Sequence, residues 1–367
     1  MVDRAKIMVV GAGWWATQHH IPGLMGYPSA ELVAVVDPDQ GKLDAVRRHF
    51  GLEATFTDLD QAVTASGAQG AVLAVPHALH YPLAKSALEM GLHVMVEKPM
   101  TLHAREAWEL VELAQSRQLQ LTVGYPWNYT RHANLARELI TSGRLGEVQL
   151  VNGLFASMVI EYLRGNPEAY RSVFKFPVTG PGSRTYSDPA LAGGGQGHLQ
   201  ITHLAGLLLW VSGLEPASVF ARMNNLDCSV DVIDALSVSF SNGAIGTIAS
   251  TGNIAPGHGE EHEIRIYLER GSVTLQPILG RMRVRYADGA EEEVPELGPD
   301  ERYPAEATAR NLVDLMLGGP TTCGPGELGA RVVSLLDAAY ASARSGAAEL
   351  AGLARAEGRT GVFSDLR

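Results

Sequence analysis

The first third of the chain alternates short apolar runs with longer amphipathic segments. Four segments of helical length carry their apolar residues on one face: Trp15–Met25, Gln40–Phe50, His80–Met90 and His103–Gln118. Five short apolar runs flank them and predict strands: Ile7–Val10, Leu32–Val36, Gly70–Val75, Leu92–Val96 and Gln120–Val123. Strands that alternate with helices favour a parallel sheet with helices on both faces. Residues 1–124 are therefore predicted to form a doubly wound α/β domain.

The pattern changes after Gly124. One helix is predicted at Thr130–Ser142, and the stretch Ala156–Ala192 is long, irregular and rich in Pro, Gly, Tyr and Arg. Strand-like runs then flank three short turns: Asn242-Gly243, Arg270-Gly271 and Asp288-Gly289. Such turns predict hairpins. With two further helices at Ala305–Leu317 and Glu327–Ser345, residues 125–367 are predicted to form an α+β domain on a mainly antiparallel sheet.

Composition and charge exclude several classes of protein. Forty acidic residues against 29 basic ones give a net charge of −11, which argues against a nucleic-acid binder and a polybasic membrane-surface protein. An apolar fraction of 46% is enough for a large core. Two cysteines, Cys228 and Cys323, cannot make a disulfide scaffold or a multi-cysteine metal site, so we expect no metal and a reducing cytoplasmic location.

The start of the chain has features of both an export signal and a buried strand. No stretch approaches the ~18 apolar residues that a membrane span needs. Arg4 and Lys6 before Ile7–Val10 resemble a short signal peptide, but the run also fits a buried strand that leads into a glycine turn. The residues that follow favour the strand.

A glycine turn follows the first strand. Gly11-Ala12-Gly13-Trp14-Trp15-Ala16 has the pattern G-x-G-x-x-A between a strand and a helix. In such a turn Gly11 makes the bend, Gly13 lets a pyrophosphate approach the backbone, and the small Ala16 permits close helix packing. The helix N-terminus then offers free N–H groups to phosphates. This context predicts a dinucleotide site, with Trp14 and Trp15 either packing or bordering the cleft.

Asp37 ends the second strand, in Val35-Val36-Asp37-Pro38. A carboxylate at this position accepts hydrogen bonds from ribose hydroxyls and repels a 2′-phosphate, which predicts NAD rather than NADP. The alternative is that Asp37 caps the following helix beside Asp39.

Glu97-Lys98-Pro99 follows the strand that ends at Val96, and so lies at the carboxyl edge of the sheet, where open α/β folds bind ligands. Pro99 restricts Lys98 to extended backbone, which helps to aim its side chain. Together with the glycine turn, this tripeptide makes Lys98 the first catalytic candidate.

The ordered set of motifs resembles the Gfo/Idh/MocA family of oxidoreductases, which includes inositol, glucose–fructose and other sugar dehydrogenases. The resemblance extends over essentially the whole chain. Besides the glycine turn and Glu97-Lys98-Pro99, the matching pieces are Ala74-Val75-Pro76 with His80, Gly124-Tyr125, Gly193-Gly194-Gly195 with His203, Asn311, and Tyr340-Ala341-Ser342-Ala343-Arg344.

The resemblance implies roles for individual residues. Lys98 would lie beside the nicotinamide and bind the reacting oxygen, while His203, eight residues after the glycine triplet, would serve as acid and base. Taken alone, His203 would more simply be a core histidine of an apolar helix that runs to about Trp210. Cofactor-binding residues would be Gly11, Gly13, Trp14, Trp15, Ala16, Asp37, Pro76, His80, Glu97, Lys98 and Tyr125, with Glu97 positioning Lys98.

One position departs from the family pattern. Many relatives carry an Asp four residues before the catalytic His, where this chain has Leu199. With ~100° per helical residue, Gln196 and Gln200 share a face with His203, while His198 points elsewhere. The substrate candidates are therefore Lys98, Gln196, Gln200 and His203, together with Trp127 as a stacking residue and Tyr186 from the long loop.

Three further groups of residues are predicted to have structural rather than catalytic roles. Asp231 and Asp234 are expected to form turns, and one residue of the pair His19 and His20 is expected to pack. The glycines Gly193, Gly194 and Gly195 are expected to let the backbone approach the substrate side of the cofactor.

The predicted function is an NAD-dependent oxidoreductase acting on a secondary alcohol or ketone of a sugar, glycoside or cyclitol. One alternative is an NAD-dependent glycosidase that uses transient oxidation and elimination; the other is a non-catalytic dinucleotide sensor. By resemblance, the second sheet is open and packs against a partner subunit, giving a homodimer or homotetramer.

Overall fold

Six parallel strands form the first sheet. The computed structural model describes residues 4–172, 176, 178–319 and 321–352. The strands are β1 (Ala5–Val10), β2 (Ala30–Val36), β3 (Thr55–Phe56), β4 (Gly70–Leu73), β5 (His93–Val96) and β6 (Leu121–Val123), in the order β3-β2-β1-β4-β5-β6. The helices are α1 (Ile21–Met25), α2 (Gln40–Phe50), α3 (Leu59–Ser66), α4 (His80–Glu89) and α5 (Ala104–Ser116). The doubly wound α/β prediction is confirmed.

The central strands β1 and β4 are buried on both faces, which explains their unbroken apolar runs. The sequence analysis missed β3 and α3. Strand β3 has two residues, too few to produce a hydrophobic pattern. Helix α3 is short, and its clearest signal is its N-cap, Asp58, whose side chain accepts a hydrogen bond from the Gln61 backbone N–H.

A nine-stranded sheet forms the second half of the molecule. Its strands are β7 (Val148–Ala156), β8 (Pro216–Asn224), β9 (Ile233–Phe240), β10 (Ile245–Thr251), β11 (Glu261–Leu268), β12 (Gly271–Gln276), β13 (Arg281–Tyr286), β14 (Glu291–Val294) and β15 (Glu349–Leu350). The order is β14-β13-β12-β11-β7-β10-β9-β8-β15, and every pair is antiparallel except β7 with β10. The three predicted hairpins are present.

Two details of these hairpins differ from the prediction. Gly243 and Gly289 have positive φ and form turns, but Gly271 lies in β12, where a Cβ would come within 2.3 Å of the Arg285 carbonyl oxygen. Gly271 is therefore needed for close approach of two strands rather than for the turn. Asp234 is not a turn former, because it lies within β9, where it pairs with Met223 and Ser250.

Helices cover one face of the second sheet. Those that contact it are α6 (Arg131–Thr141), α9 (Thr202–Ser212) and α11 (Gly326–Ser345). Two short helices, α7 (Ile160–Leu163) and α8 (Pro189–Ala192), lie in the long irregular stretch between β7 and α9. Helix α10 (Ala307–Met316) packs instead on β1, β4, β5 and β6 of the first sheet. Helix α9 is almost wholly buried and packs on β7, where Gly153 leaves room for Leu204. Helix α11 contacts β8 of the second sheet and also α5 and β6 of the first. Among the described residues, no helix is long and apolar enough to cross a membrane.

The other face of the second sheet is open. Strand β9 alternates exposed and buried residues along its whole length. The exposed face carries Ile233, Ile245 and Tyr267, and a depression of about 640 Å³ lies over β11 to β14. Arginines and glutamates line much of this depression, which includes no candidate site residue.

Candidate active site

The glycine turn closes the carboxyl end of β1. Gly11 has a φ of +98°, and a Cβ there would lie 2.2 Å from the Ala74 carbonyl oxygen. A Cβ on Gly13 would meet nothing within 4 Å, so the backbone at this position faces open space. The chain then enters a π-helical segment, Ala16–His20, that continues into α1. An open approach to a glycine at a helix start is what a dinucleotide pyrophosphate needs, so these residues fit the cofactor.

Asp37 lies beside this turn at the end of β2. Its Oδ2 accepts a hydrogen bond from the Ala12 backbone N–H at 2.8 Å, and its Oδ1 accepts one from the Asp39 N–H at 2.9 Å. Lys42 Nζ is 3.4 Å from Oδ2. The helix-capping role belongs to Asp39, whose side chain accepts from Gly41 N. Asp37 is therefore held against the glycine turn, as a ribose-binding carboxylate requires.

Lys98 reaches across the cleft into the second half of the chain. Its Nζ donates a hydrogen bond to the backbone carbonyl oxygen of Leu199 at 2.9 Å. Burial lowers the pKa of Lys98 to about 8, against the opposing charge of Glu97. The carbonyl of Leu199 thus provides the contact to Lys98 in a chain that has no acidic side chain at this position.

The Leu199 carbonyl lies in an irregular part of a helix. Residues Gly197–Ile201 form a π-helix, in which Thr202 N–H donates to the Gly197 carbonyl oxygen, five residues earlier. A π turn leaves a carbonyl without its usual partner and is frequent at functional sites. The regular helix α9 begins at Thr202 and carries His203.

His203 is 6% exposed and lies in an aromatic environment. Its ring centroid is 5.1 Å from that of Trp127 in an edge-to-face arrangement. Burial, together with the charges of Lys98 and His262, lowers the pKa of His203 well below 6.5. The imidazole is therefore neutral at neutral pH and able to accept a proton.

Glu97 contacts the backbone of Lys98, whereas Leu199 contacts its amino group. Its Oε1 accepts a hydrogen bond from Trp15 Nε1 at 2.9 Å and lies 2.8 Å from His20 Nε2. Its Oε2 accepts from the Lys98 backbone N–H at 3.2 Å. Burial alone would favour the neutral carboxyl, but the contacts with His20, Lys98 and Trp15 lower the pKa of Glu97. Glu97 thus fixes the backbone of Lys98, and the wholly buried His20 is a packing residue of this network.

The side chain of Gln196 does not share a face with His203. Gln196 is wholly buried, and its Nε2 donates to Ser250 Oγ at 2.8 Å, so it faces the second sheet. The prediction for Gln196 is wrong because the π-helix breaks the 100° spacing on which it relied. Gln200 is partly exposed, and the His198 ring packs 4.7 Å from Tyr340.

Two residues expected to bind the cofactor support the cleft instead. His80 is wholly buried, with Nδ1 2.6 Å from the Pro99 carbonyl oxygen and Nε2 3.0 Å from that of Val75. Tyr125 is 1% exposed, and its hydroxyl lies 3.3 Å from Thr202 Oγ1. Neither side chain is open to a ligand, which corrects the prediction of direct contact. Pro76 is partly exposed, directly before a short 3₁₀ turn.

Trp127 is not an open stacking platform. It is 8% exposed, and its ring lies edge-to-face with the rings of His203, His262, Phe155 and Tyr303. The prediction that a sugar stacks on Trp127 is therefore wrong, because other rings surround it. Trp127 instead supports His203.

The long loop returns to the glycine turn. Trp14 Nε1 donates a hydrogen bond to the Tyr186 hydroxyl at 3.1 Å. The Trp14 ring also lies 5.7 Å from that of Phe176. Tyr186 therefore lies at the cleft, as predicted, and Trp14 is one wall of it. Residues 173–175 and 177 of this loop lie outside the described residues.

The glycine triplet has a different purpose from the one predicted. A Cβ on Gly194 would lie 2.1 Å from the Tyr340 hydroxyl, and one on Gly195 would lie 2.0 Å from the Asp231 carbonyl oxygen. The Asp231 carboxylate accepts hydrogen bonds from Gly195 N and Gly197 N, both at 2.7 Å, and from the Tyr340 hydroxyl. The triplet therefore makes room for protein groups, and Asp231 caps the π-helix rather than forming a turn.

Sequence reasoning missed Tyr303. It lies between a short 3₁₀ turn, Pro299–Glu301, and α10, in a segment with no motif. Its ring centroid is 4.7 Å from that of Trp127, 6.2 Å from that of Trp15 and 6.5 Å from that of His203. The pair Tyr303-Pro304 before a helix was the available signal, and it is too common to mark a site.

A doubly wound parallel sheet with an open glycine turn at its carboxyl edge is the architecture of a dinucleotide-binding domain. Family models agree: the oxidoreductase family with an NAD-binding Rossmann fold matches residues 5–125, and the GFO/IDH/MocA C-terminal domain matches residues 134–274. The chain belongs to the Gfo/Idh/MocA family and is an NAD(P)-binding oxidoreductase.

Sequence identity with individual relatives is low. An uncharacterized oxidoreductase of Synechocystis sp. is 27% identical over 286 residues, which cover 73% of this chain and 71% of that protein. Inositol 2-dehydrogenase of Corynebacterium glutamicum is 30% identical over 156 residues, 42% of this chain and 46% of that enzyme. The structure of levoglucosan dehydrogenase with NADH and levoglucosan superposes with a TM-score of 0.78 at 18% identity, over 95% of this chain and 100% of that one.

Proposed function

We propose that this protein is an NAD-dependent dehydrogenase that oxidises a secondary alcohol of a sugar, glycoside or cyclitol, or reduces the corresponding ketone. The observation that carries the proposal is the position of Lys98, whose amino group is fixed by Leu199 at the carboxyl edge of the first sheet, in the same cleft as His203.

Lys98 orients and polarises the reacting hydroxyl. With a pKa of about 8 its amino group is mostly protonated at neutral pH. Of its three N–H bonds, one donates to Leu199, which leaves two for the substrate oxygen. A cation held in place before the substrate arrives stabilises the negative charge that develops on that oxygen.

His203 accepts the hydroxyl proton. Its lowered pKa keeps the imidazole neutral, with a free lone pair, at the pH where Lys98 is charged. Its Nδ1 is buried without a hydrogen-bond partner among the described residues. The proton is therefore accepted at Nε2, and a positioned base of this kind contributes about 10²–10⁴-fold.

The nicotinamide ring, when bound, supplies the two-electron acceptor that takes the hydride from the substrate carbon. The open backbone at Gly13 would hold the pyrophosphate, and Asp37 would bind the ribose of the adenosine half. The carboxylate of Asp37 favours NAD, since a 2′-phosphate would be repelled. Trp14, Trp15 and Ala16 complete this side of the cleft.

The names of relatives and the cleft support the proposed substrate class. Proteins similar to this chain are named for inositol, glucose 6-phosphate and levoglucosan, all polyhydroxylated rings. The cleft offers the uncharged hydroxyl of Tyr186, which suits hydroxyl groups, and the partly exposed amide of Gln200 would add a second such group.

The open face of the second sheet is proposed to bind a second copy of the chain, as a homodimer or homotetramer. Exposed Ile245 and Tyr267 lie on this face among paired charges such as Arg283 with Glu293. We also propose that the division between the two domains falls near Gly124, after β6.

The test is a panel of myo-inositol, D-glucose, levoglucosan and a chromogenic glucoside incubated with NAD, followed by NADH absorbance. We expect NADH with at least one cyclic polyol, and loss of turnover by about 10³-fold or more in Lys98→Met with NAD affinity unchanged. Aglycone release without net NADH would instead identify a glycosidase. NAD binding with no turnover of any compound would indicate a sensor.

A further inference from the structure

Tyr303 lies where the two halves of the cleft meet. Its ring is in edge-to-face contact with Trp15, which comes from the glycine turn, and with Trp127 and His203, which come from the second half of the chain. Each of these three residues belongs to a separate segment. One side chain therefore connects the cofactor side of the cleft with the proposed base.

The hydroxyl of Tyr303 is also close to the residues around Lys98. Burial first, then the charges of Glu97 and Tyr186, raise the pKa of Tyr303 well above 10. The phenol is therefore neutral across the physiological range, and its hydroxyl can both donate and accept a hydrogen bond. Glu97, whose charge acts on this hydroxyl, is also the residue that fixes the backbone of Lys98.

Neighbouring tyrosines at the cleft have partners. The Tyr186 hydroxyl accepts from Trp14 Nε1, and the Tyr125 hydroxyl lies against Thr202 Oγ1. The Tyr303 hydroxyl has no hydrogen-bond partner among the described residues. Tyr303 is only partly buried, and its hydroxyl is not among the polar atoms closed off from solvent. An accessible hydroxyl that makes no contact within the protein can bind a ligand hydroxyl without losing a hydrogen bond.

We propose that Tyr303 is a substrate-binding residue, whose hydroxyl binds a hydroxyl group of the polyol next to the carbon that is oxidised. The proposal rests on the proposed function. It assigns part of the substrate specificity to the segment before α10, which lies outside the two matched family regions at residues 5–125 and 134–274.

The decisive variant is Tyr303→Phe, which keeps the ring contacts with Trp15 and Trp127 and removes one oxygen atom. For the panel compound that the unmodified protein oxidises fastest, we expect KM to rise about tenfold, with the affinity for NAD unchanged. Loss of a matched hydrogen bond to substrate has this size, since tenfold corresponds to about 1.4 kcal/mol. A deoxy analogue that lacks the neighbouring hydroxyl should show no difference between the two proteins.

Tyr81→Phe is the matched control, because the Tyr81 hydroxyl lies 3.5 Å from Lys85 Nζ and neither residue has a role in the proposed site. Melting temperatures of both variants verify folding. An unchanged KM in Tyr303→Phe would overturn the proposal, and so would a change confined to NAD affinity.

A second measurement separates this proposal from the proposed function. Titration of the NADH complex with each panel compound, followed by nicotinamide fluorescence, reports binding without turnover. Weaker binding in Tyr303→Phe supports the assignment even where oxidation is absent and the proposed dehydrogenase function fails. If the unmodified protein neither binds nor oxidises any compound of the panel, both proposals fall.

Discussion

The amino group of Lys98 donates a hydrogen bond to the main-chain carbonyl oxygen of Leu199, 101 residues further along the chain. The family resemblance implies an acidic side chain at the position of Leu199, and here the backbone of that residue makes the contact. The Leu199 side chain points the other way, into an apolar cluster with Tyr162 and Val230. A neutral acceptor replaces a charged one, and this is consistent with an ammonium group that loses its proton near pH 8.

An acidic side chain introduced at position 199 should therefore not form a charged contact with Lys98. Leu199→Asp would place a carboxylate in the apolar cluster, away from Lys98, and should destabilise the fold by about 3 kcal/mol or more. Leu199→Ala is the control for lost packing and should cost about 2–3 kcal/mol, because Leu199 is 8% exposed. Denaturant unfolding measures both. A stable Leu199→Asp protein with a raised pH optimum would show that the side chain reaches Lys98 after all.

The pH dependence of oxidation follows from two lowered pKa values. Oxidation requires neutral His203, and the pKa of His203 lies well below 6.5. It also requires protonated Lys98, and the pKa of Lys98 is about 8. Both forms are present together between these two pKa values. The profile of kcat/KM should thus be flat between about pH 6.5 and 8 and fall tenfold per pH unit above. Whatever activity remains in Lys98→Arg should lack this alkaline fall, since a guanidinium does not titrate there. A maximum above pH 9 in the unmodified protein would contradict the assignment.

Substitutions at Gly11 and Gly13 should have different effects: one should impair folding and the other cofactor binding. Gly13→Ala adds a methyl group to open space, so we expect an unchanged melting temperature and NAD affinity at least tenfold weaker. Gly11→Ala meets the Ala74 carbonyl oxygen at 2.2 Å and forces a positive φ on alanine, so it should lose stability by about 1–3 kcal/mol or fail to fold. Calorimetry with and without NAD distinguishes the two. If Gly13→Ala binds NAD as tightly as the unmodified protein, the pyrophosphate does not bind at Gly13.

Cofactor choice should depend on the charge of Asp37. Asp37→Asn retains an oxygen that accepts the Ala12 N–H and removes the repulsion of a 2′-phosphate, so the preference for NAD over NADP should narrow about tenfold. Asp39→Asn is the matched control, since asparagine also caps helices and the preference should stay as it was. The ratio of kcat/KM for the two cofactors gives the answer. An unmodified protein that prefers NADP would refute the interpretation of Asp37.

Local sequence patterns were enough to predict the alternating strands and helices, the hairpins and the glycine turn, because each depends on a few adjacent residues. The positions that failed depend on long-range geometry. Gln196 was placed on the wrong face because nothing in the sequence marks Gly197–Ile201 as a π-helix. Gly194 looked like a ligand-binding glycine, although Tyr340, 146 residues away in the sequence, fills the space beside it. Tyr303 was missed because its partners come from three distant segments.

Helix α11 bears on the order in which the chain folds during synthesis. The first sheet is made early, but its strand β6 bridges to Pro325, and α5 packs on α11. Until residues 326–345 leave the ribosome, part of the apolar surface of the first sheet and of α5 therefore stays uncovered. Chains that terminate before α11 would present that surface to chaperones and proteases, so synthesis of α11 decides when this surface is protected.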